Sequence, residues 1–186
     1  DISGSSFSRG FALKTDGTAW SWGYNGWGVG GLGDINNINR SSPTQIGTDT
    51  TWSKVANYGR SSMGLKTNGT LWIWGNNQSG GLGLNQPNNS HVSSPTQIPG
   101  TTWSHISSGT PDASYVGLAQ KSDGTLWVWG GNGNGRLGLN TPGSSNVSSP
   151  TQVGTDTTWD VVQLAHDRVV GSKTDGTIWS WGSNSY

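Results

Sequence analysis

Short apolar runs along this chain are broken at regular intervals by an Asn-Gly or Asp-Gly pair. In Leu65–Gly75, LKTNGTLWIWG, residues on both sides of Asn68-Gly69 are apolar or β-branched. Asn or Asp followed by Gly tolerates the backbone angles of a tight turn, so the pattern predicts a β-hairpin. After the turn, Trp72 and Trp74 project from one strand face and Leu71 and Ile73 from the other. A strand apolar on both faces belongs to a sheet covered on both sides.

The pattern recurs at Leu13–Gly23, Gln120–Gly130 and Ser172–Gly182. The turn glycines, Gly17, Gly69, Gly124 and Gly176, are spaced by 52, 55 and 52 residues. Other landmarks keep phase with them. A Gly-rich loop ends in GGLG (Gly30–Gly33, Gly80–Gly83) or GRLG (Gly135–Gly138). SSPTQ follows, with Pro43, Pro95 and Pro150 suited to the start of an edge strand, where a missing N–H does no harm. Then TTW opens a short strand at Trp52, Trp103 and Trp159. Each period yields about four strands and no helix, the signature of sheets stacked radially as propeller blades. The expected fold is all-β, a β-propeller of four-stranded blades with about three and a half repeats of 52–55 residues. The domain spans residues 1–186, with repeats at about 13–64, 65–119 and 120–171 and a partial one at 172–186. Residues 1–23 and 162–182 occupy the same part of the repeat, and a seven-bladed ring would need about 370 residues. A contiguous piece of a longer propeller is therefore expected.

The motif as it stands at Asp16-Gly17 with Trp22-Gly23 and Leu32-Gly33, and at Asn68-Gly69 with Trp74-Gly75 and Leu82-Gly83, resembles the repeats of the regulator of chromosome condensation family. So do Asp123-Gly124 with Trp129-Gly130 and Leu137-Gly138, and Asp175-Gly176 with Trp181-Gly182. The resemblance covers the whole chain and implies blades of a seven-bladed propeller. The founding member regulates a small GTPase by nucleotide exchange with family-specific loops and a basic tail; neither stands in this sequence, so the resemblance carries over the fold and not the exchange activity. This chain departs from the pattern where the family often carries Gly-x-x-His: Gly59 is followed by Arg60-Ser61-Ser62.

Composition narrows the function classes. Ten Lys and Arg balance ten acids, all of them Asp, so no basic field recruits nucleic acid. No run approaches the roughly 18 apolar residues of a membrane span. Cysteine is absent, which removes disulfides and thiolate metal sites. His91, His105 and His166 fall at unrelated repeat positions, and the turn Asp becomes Asn68 in one copy. Neither pattern supports a metal site or a catalytic carboxylate, so no enzyme activity, cofactor or metal is expected. The recurring Lys14, Lys66, Lys121 and Lys173 read as solvated edge charges.

Shared residues serve the fold, so differences between copies are where recognition is sought. The first Gly-rich loop reads as two residues longer and carries Tyr24 and Trp27, an aromatic pair without counterpart. The interval from Trp103 to Lys121 is 18 residues against 14 elsewhere, with the extra length around Thr110, Pro111 and Asp112. These five are the candidate ligand-binding residues. The eight Trp of the strands read as core, with a sugar-stacking platform as the functional alternative. The expected function is a non-enzymatic binding or structural module, a virion or cell-surface recognition domain of lectin-like kind, placed extracellularly or on a virion. Its partners would be a protein or glycan, with remaining blades or other subunits, and without nucleic acid or membrane insertion. The alternative is guanine-nucleotide exchange or other regulation of a small GTPase.

Overall fold

The computed structural model describes residues 2–5, 8–34, 36, 38–107, 115–141, 145–165 and 167–184, the side chains of 2–5 excepted. The first sheet contains β1 (Ile2–Ser5), β2 (Arg9–Leu13), β3 (Ala19–Gly23) and β4 (Arg40–Gln45), in that order. The second contains β5 (Trp52–Tyr58), β6 (Ser61–Lys66), β7 (Leu71–Gly75) and β8 (Val92–Ile98). The third contains β9 (Trp103–Ile106), β10 (Val116–Lys121), β11 (Leu126–Gly130) and β12 (Val147–Gln152). β13 (Trp159–Ala165), β14 (Arg168–Lys173) and β15 (Ile178–Gly182) form the fourth. All neighbours pair antiparallel, and each sheet packs face to face on the next, as propeller blades do. Pro43, Pro95 and Pro150 lie in the edge strands β4, β8 and β12, three residues inside them rather than at their start.

Each hairpin turn is closed by its own side chains. Asp16 Oδ1 accepts from the Thr18 backbone N–H at 2.9 Å and from the Thr18 hydroxyl at 2.7 Å. Trp20 Nε1–H then donates to Thr18 Oγ1 at 2.9 Å, tying the turn to the first Trp of the strand. The same relay runs through Asn68, Thr70 and Trp72, through Asp123, Thr125 and Trp127, and through Asp175, Thr177 and Trp179. Only an Oδ1 acceptor is required, which is why Asn68 serves as well as Asp.

The second Trp of each pair reaches into the previous repeat. Trp74 is fully buried, meets Phe11 edge to face at 6.1 Å, and donates to the Val29 carbonyl at 2.9 Å. Trp129 donates to Gly81 O at 3.0 Å, and Trp181 to Arg136 O at 3.1 Å. The opposite faces of β7 and β11, through Leu71, Ile73, Leu126 and Val128, are buried against the following sheet. On β15 the matching Ile178 is 78% exposed, as are Val161 and Val170 beside it in large part.

The recurring lysines are not merely solvated edge charges: Lys14 is exposed, but Lys66 is buried and Lys121 and Lys173 are partly buried. Lys14, Lys66 and Lys121 place Nζ 3.8 Å from the ring centroids of Trp20, Trp72 and Trp127, and Lys173 lies 3.9 Å from that of Trp179. The first Trp of each pair is thus capped by a cation on one ring face, while Trp72 and Trp127 also pack against the core. Lys66 and Lys173 also bond Asp49 and Asp156, each at 2.6 Å. Those bonds hold the Asp49 and Asp156 carboxyls below the ordinary range; the Thr18, Thr125 and Thr177 hydroxyls do the same for Asp16, Asp123 and Asp175.

A carboxyl depressed on folding stabilises the fold above its unfolded pKa, and that stability is lost as pH falls through the folded value. The melting temperature is therefore expected to hold down to about pH 5 and to fall below about pH 4. Asp49→Asn should flatten part of that slope, by a small amount because Asp49 is half exposed. A melting temperature constant from pH 6 to 3 would refute this account.

Candidate functional site

The Gly-rich connections at 24–39, 76–91 and 131–146 each begin with a turn of 3-10 helix: Gly26–Gly28, Gln78–Gly80 and Gly133–Gly135. A buried Asn organises each one. Asn25, Asn77 and Asn132 accept from the backbone N–H of Gly30, Leu82 and Leu137 at 2.9, 3.1 and 3.1 Å. These bonds set Gly28-Val29-Gly30-Gly31 opposite Gly80-Gly81-Leu82-Gly83. Gly31 and Gly83 confirm it, both at positive φ and both against the second Trp of the following sheet. The first loop is therefore not longer by two, and Leu32-Gly33 is displaced from the Leu82-Gly83 position. A run with so many glycines offers several letter-level registers; hydrogen bonds select one.

In that register Trp27 does have counterparts, Ser79 and Asn134. All three occupy the left-handed region, with φ of 57°, 57° and 58°. Asn suits that conformation and a bulky indole does not, at a cost of about 1–2 kcal/mol. Contacts on several sides hold Trp27 there. Tyr24 meets it edge to face at 6.1 Å, His91 of the second sheet's loop at 6.4 Å, and the Arg60 guanidinium lies 4.9 Å from its ring centroid. Tyr24 and Trp27 are both partly buried. The pair is no flat stacking platform: the rings meet edge on, and a guanidinium occupies one indole face.

Around them is a pocket of about 520 Å³, lined by Ser8, Arg9, Gly23, Tyr24, Trp27, Asn39 and Arg60. It lies at the junction of the first two sheets, between the β3–β4 connection and the β5–β6 turn. Asn39 Oδ1 accepts from the Asn25 backbone N–H at 3.1 Å and so fixes the far end of the loop. Arg9, on β2 and 5% exposed, crosses between the sheets. Its Nε–H donates to Asn57 Oδ1 at 2.8 Å, and Nη2 donates to the carbonyls of Gly59 and Ser61 at 2.7 and 3.0 Å. Burial lowers its pKa to about 10, so it remains charged at neutral pH.

Sequence reasoning singled out Tyr24 and Trp27, which the structure brings together. It missed Arg9, Arg60, Asn39 and Ser8. The available signal was the stretch Gly59-Arg60-Ser61-Ser62, where this chain departs from the related repeats. Thr110, Pro111, Asp112 and His166 lie outside the described residues. Burial lowers the pKa of His91 and of His105, with Lys54 adding to the effect on His105. Among the described residues no three His, Cys, Asp or Glu come together as metal ligands.

The family model for the regulator of chromosome condensation (RCC1) repeat matches residues 68–110 and 123–166. A curated relative, the mitochondrial RCC1 domain-containing protein RUG3 of Arabidopsis thaliana, is 27% identical over 188 residues, covering 94% of this chain and 40% of that protein. Among solved structures, yeast RCC1 (Prp20) bound to Kap60 superposes with a TM-score of 0.82 at 19% identity, covering 98% of this chain and 43% of that one. Human WBSCR16 gives 0.80 at 21% identity, covering 99% and 47%. The chain thus spans less than half the length of these relatives. They overturn the expectation of an extracellular or virion surface: one is a mitochondrial protein, and the yeast protein was solved bound to Kap60 and characterised for binding to Gsp1p and histones.

Proposed function

Because the chain is built from regulator of chromosome condensation repeats, we propose that it is a protein-binding β-propeller segment acting as a regulator of a small GTPase, through nucleotide exchange or by docking. It works as a binding surface and makes or breaks no covalent bond. We place it within a longer ring, the next sheet covering Val161, Val170 and Ile178. The observation that carries the reading is the convergence of Tyr24, Trp27 and Arg60 at one sheet junction, although none of them recurs in the repeat. A rigid repeated frame presenting non-repeated residues in its connections is how scaffolds recognise partners. The protein partner is preferred to a glycan because Trp27 has an indole face covered by Arg60 and because the yeast neighbour is described as binding proteins.

The test uses a small GTPase of the Gsp1p kind, loaded with a fluorescent guanine nucleotide and mixed with the chain. Faster nucleotide release supports exchange. Saturable binding without faster release supports regulation by docking. No binding in either nucleotide state overturns the reading.

A further inference from the structure

Arg9 carries an unusual imbalance. Its Nε and Nη2 groups are spent on neutral acceptors, while Nη1 is buried with no hydrogen-bond partner among the described residues. Among the described residues no carboxylate pairs with it, although Asp pairs with Arg40, Lys66, Arg136 and Lys173. A buried cation without a counter-ion is costly, and neutral carbonyls offset only part of the lost hydration. The guanidinium lies in the wall of the 520 Å³ pocket, where Arg60 adds a second positive group and none of the described lining residues is acidic. Charge in a low-dielectric wall acts on the adjacent space far more strongly than it would through water.

We propose that this pocket is a carboxylate-recognition site, and that its ligand is an Asp or Glu side chain on a surface segment of the protein partner; this rests on the protein-binding reading above. Arg60 and the Asn39 amide at the rim are placed to meet the carboxylate, Arg9 supplies field from beneath, and Tyr24 and Trp27 wall the neighbouring apolar atoms. Nucleic-acid phosphate is the poorer fit, because the chain's ten cations are balanced by ten acids and no wider basic surface would track a backbone.

The probe is a capped acidic peptide, Ac-Gly-Asp-Glu-Leu-Gly-amide, titrated calorimetrically beside the same peptide with Asn and Gln in place of its acids. The acidic peptide should bind saturably, more weakly as salt rises, and at least about tenfold more tightly than the amide peptide. Arg60→Gln, at the rim and only partly buried, with its fold checked by circular dichroism, should erase most of that difference. Arg9→Met, with its fold checked by circular dichroism, should do the same. If Arg9→Met does not fold, Arg60→Gln alone decides. Equal affinity for the two peptides, no binding of either, or binding of a short single-stranded oligonucleotide in preference to both would overturn the proposal. A GTPase that binds the chain equally well with and without Arg60→Gln, alongside failed peptide binding, removes the carboxylate site while leaving the protein-binding reading in place. Failure to bind either GTPase or peptide removes both.

Discussion

Replacing Trp129 with alanine is expected to lower the unfolding free energy by about 4 kcal/mol, a large part of the roughly 5–15 kcal/mol that holds an ordinary domain together. The indole is fully buried between the second and third sheets, in one cluster with Leu71, Ile73, Ile98 and Ile106. It meets Trp103 edge to face at 6.5 Å and lies over Gly117, where even a Cβ would come within 2.0 Å of the ring. Truncation therefore empties a ring-sized cavity lined by the Leu71, Ile73, Ile98, Ile106 and Trp103 side chains, which are held on the rigid backbone of two sheets and cannot readily collapse. Trp129→Phe separates packing from hydrogen bonding. It loses the bond to Gly81 O, but that carbonyl keeps the Tyr58 hydroxyl as a donor at 2.7 Å. The loss should then be about 2 kcal/mol, mostly from the smaller ring. Trp22→Ala, in the chain of residues 1–186 taken alone, provides the contrast: the same letter of the repeat, only partly buried, and expected to cost about half as much. Urea denaturation followed by circular dichroism measures all three. Equal losses at Trp129 and Trp22 would show that burial between sheets is not what makes these indoles important.

The parts of this molecule that were legible in its sequence depend on neighbours in the chain. The Asn/Asp-Gly turn, the two-residue spacing of Trp72 and Trp74, and the edge placement of Pro95 each express a local rule. The turn even explains its own Asp-to-Asn tolerance once Thr70 is seen to share Oδ1 of Asn68 with its backbone and hydroxyl. What was not legible depends on groups brought together from far apart. Lys66 looked like an edge charge because nothing local shows that Trp52, fourteen residues earlier, stands beside Trp72 and helps enclose the ammonium. Arg9 attracted no notice because its acceptors lie 48 to 52 residues away. The first Gly-rich loop was misaligned because matching letters ranked above the Asn25 bond that sets its register. The lectin-like reading of Tyr24 and Trp27 rested on letters without packing: an aromatic pair in a sequence does not say whether its faces are open, and here Arg60 covers one face of Trp27.

The turn glycines extend this point into a second large effect. In the chain of residues 1–186 taken alone, Gly124→Ala should destabilise by about 3 kcal/mol, and Gly176→Ala, the same letter on the sheet that no other described sheet covers, by about 1 kcal/mol. Both have positive φ, +79° and +84°, so both variants bear the strain of a side chain in the left-handed region. At Gly176 nothing lies within 4 Å of the added carbon. At Gly124 that carbon would stand 1.9 Å from the backbone oxygen of Thr157, in the segment that leads into the fourth sheet. Gly17 and Gly69 meet Thr50 and Thr101 in the same way, and their carbonyls accept the backbone N–H of Trp52 and Trp103 at 3.1 and 3.0 Å. The glycine that sequence reasoning assigns to the hairpin thus also serves the junction between sheets, because the next strand enters where its side chain would be. Thr157 can relieve the overlap only by moving backbone, which carries Trp159 and the fourth sheet's packing with it. A gap of about 2 kcal/mol between the two variants would measure the clamping of one sheet on the next. Equal, small losses would mean that the sheets slide past the added methyl, and that the close turn-glycine approach contributes little to the junction.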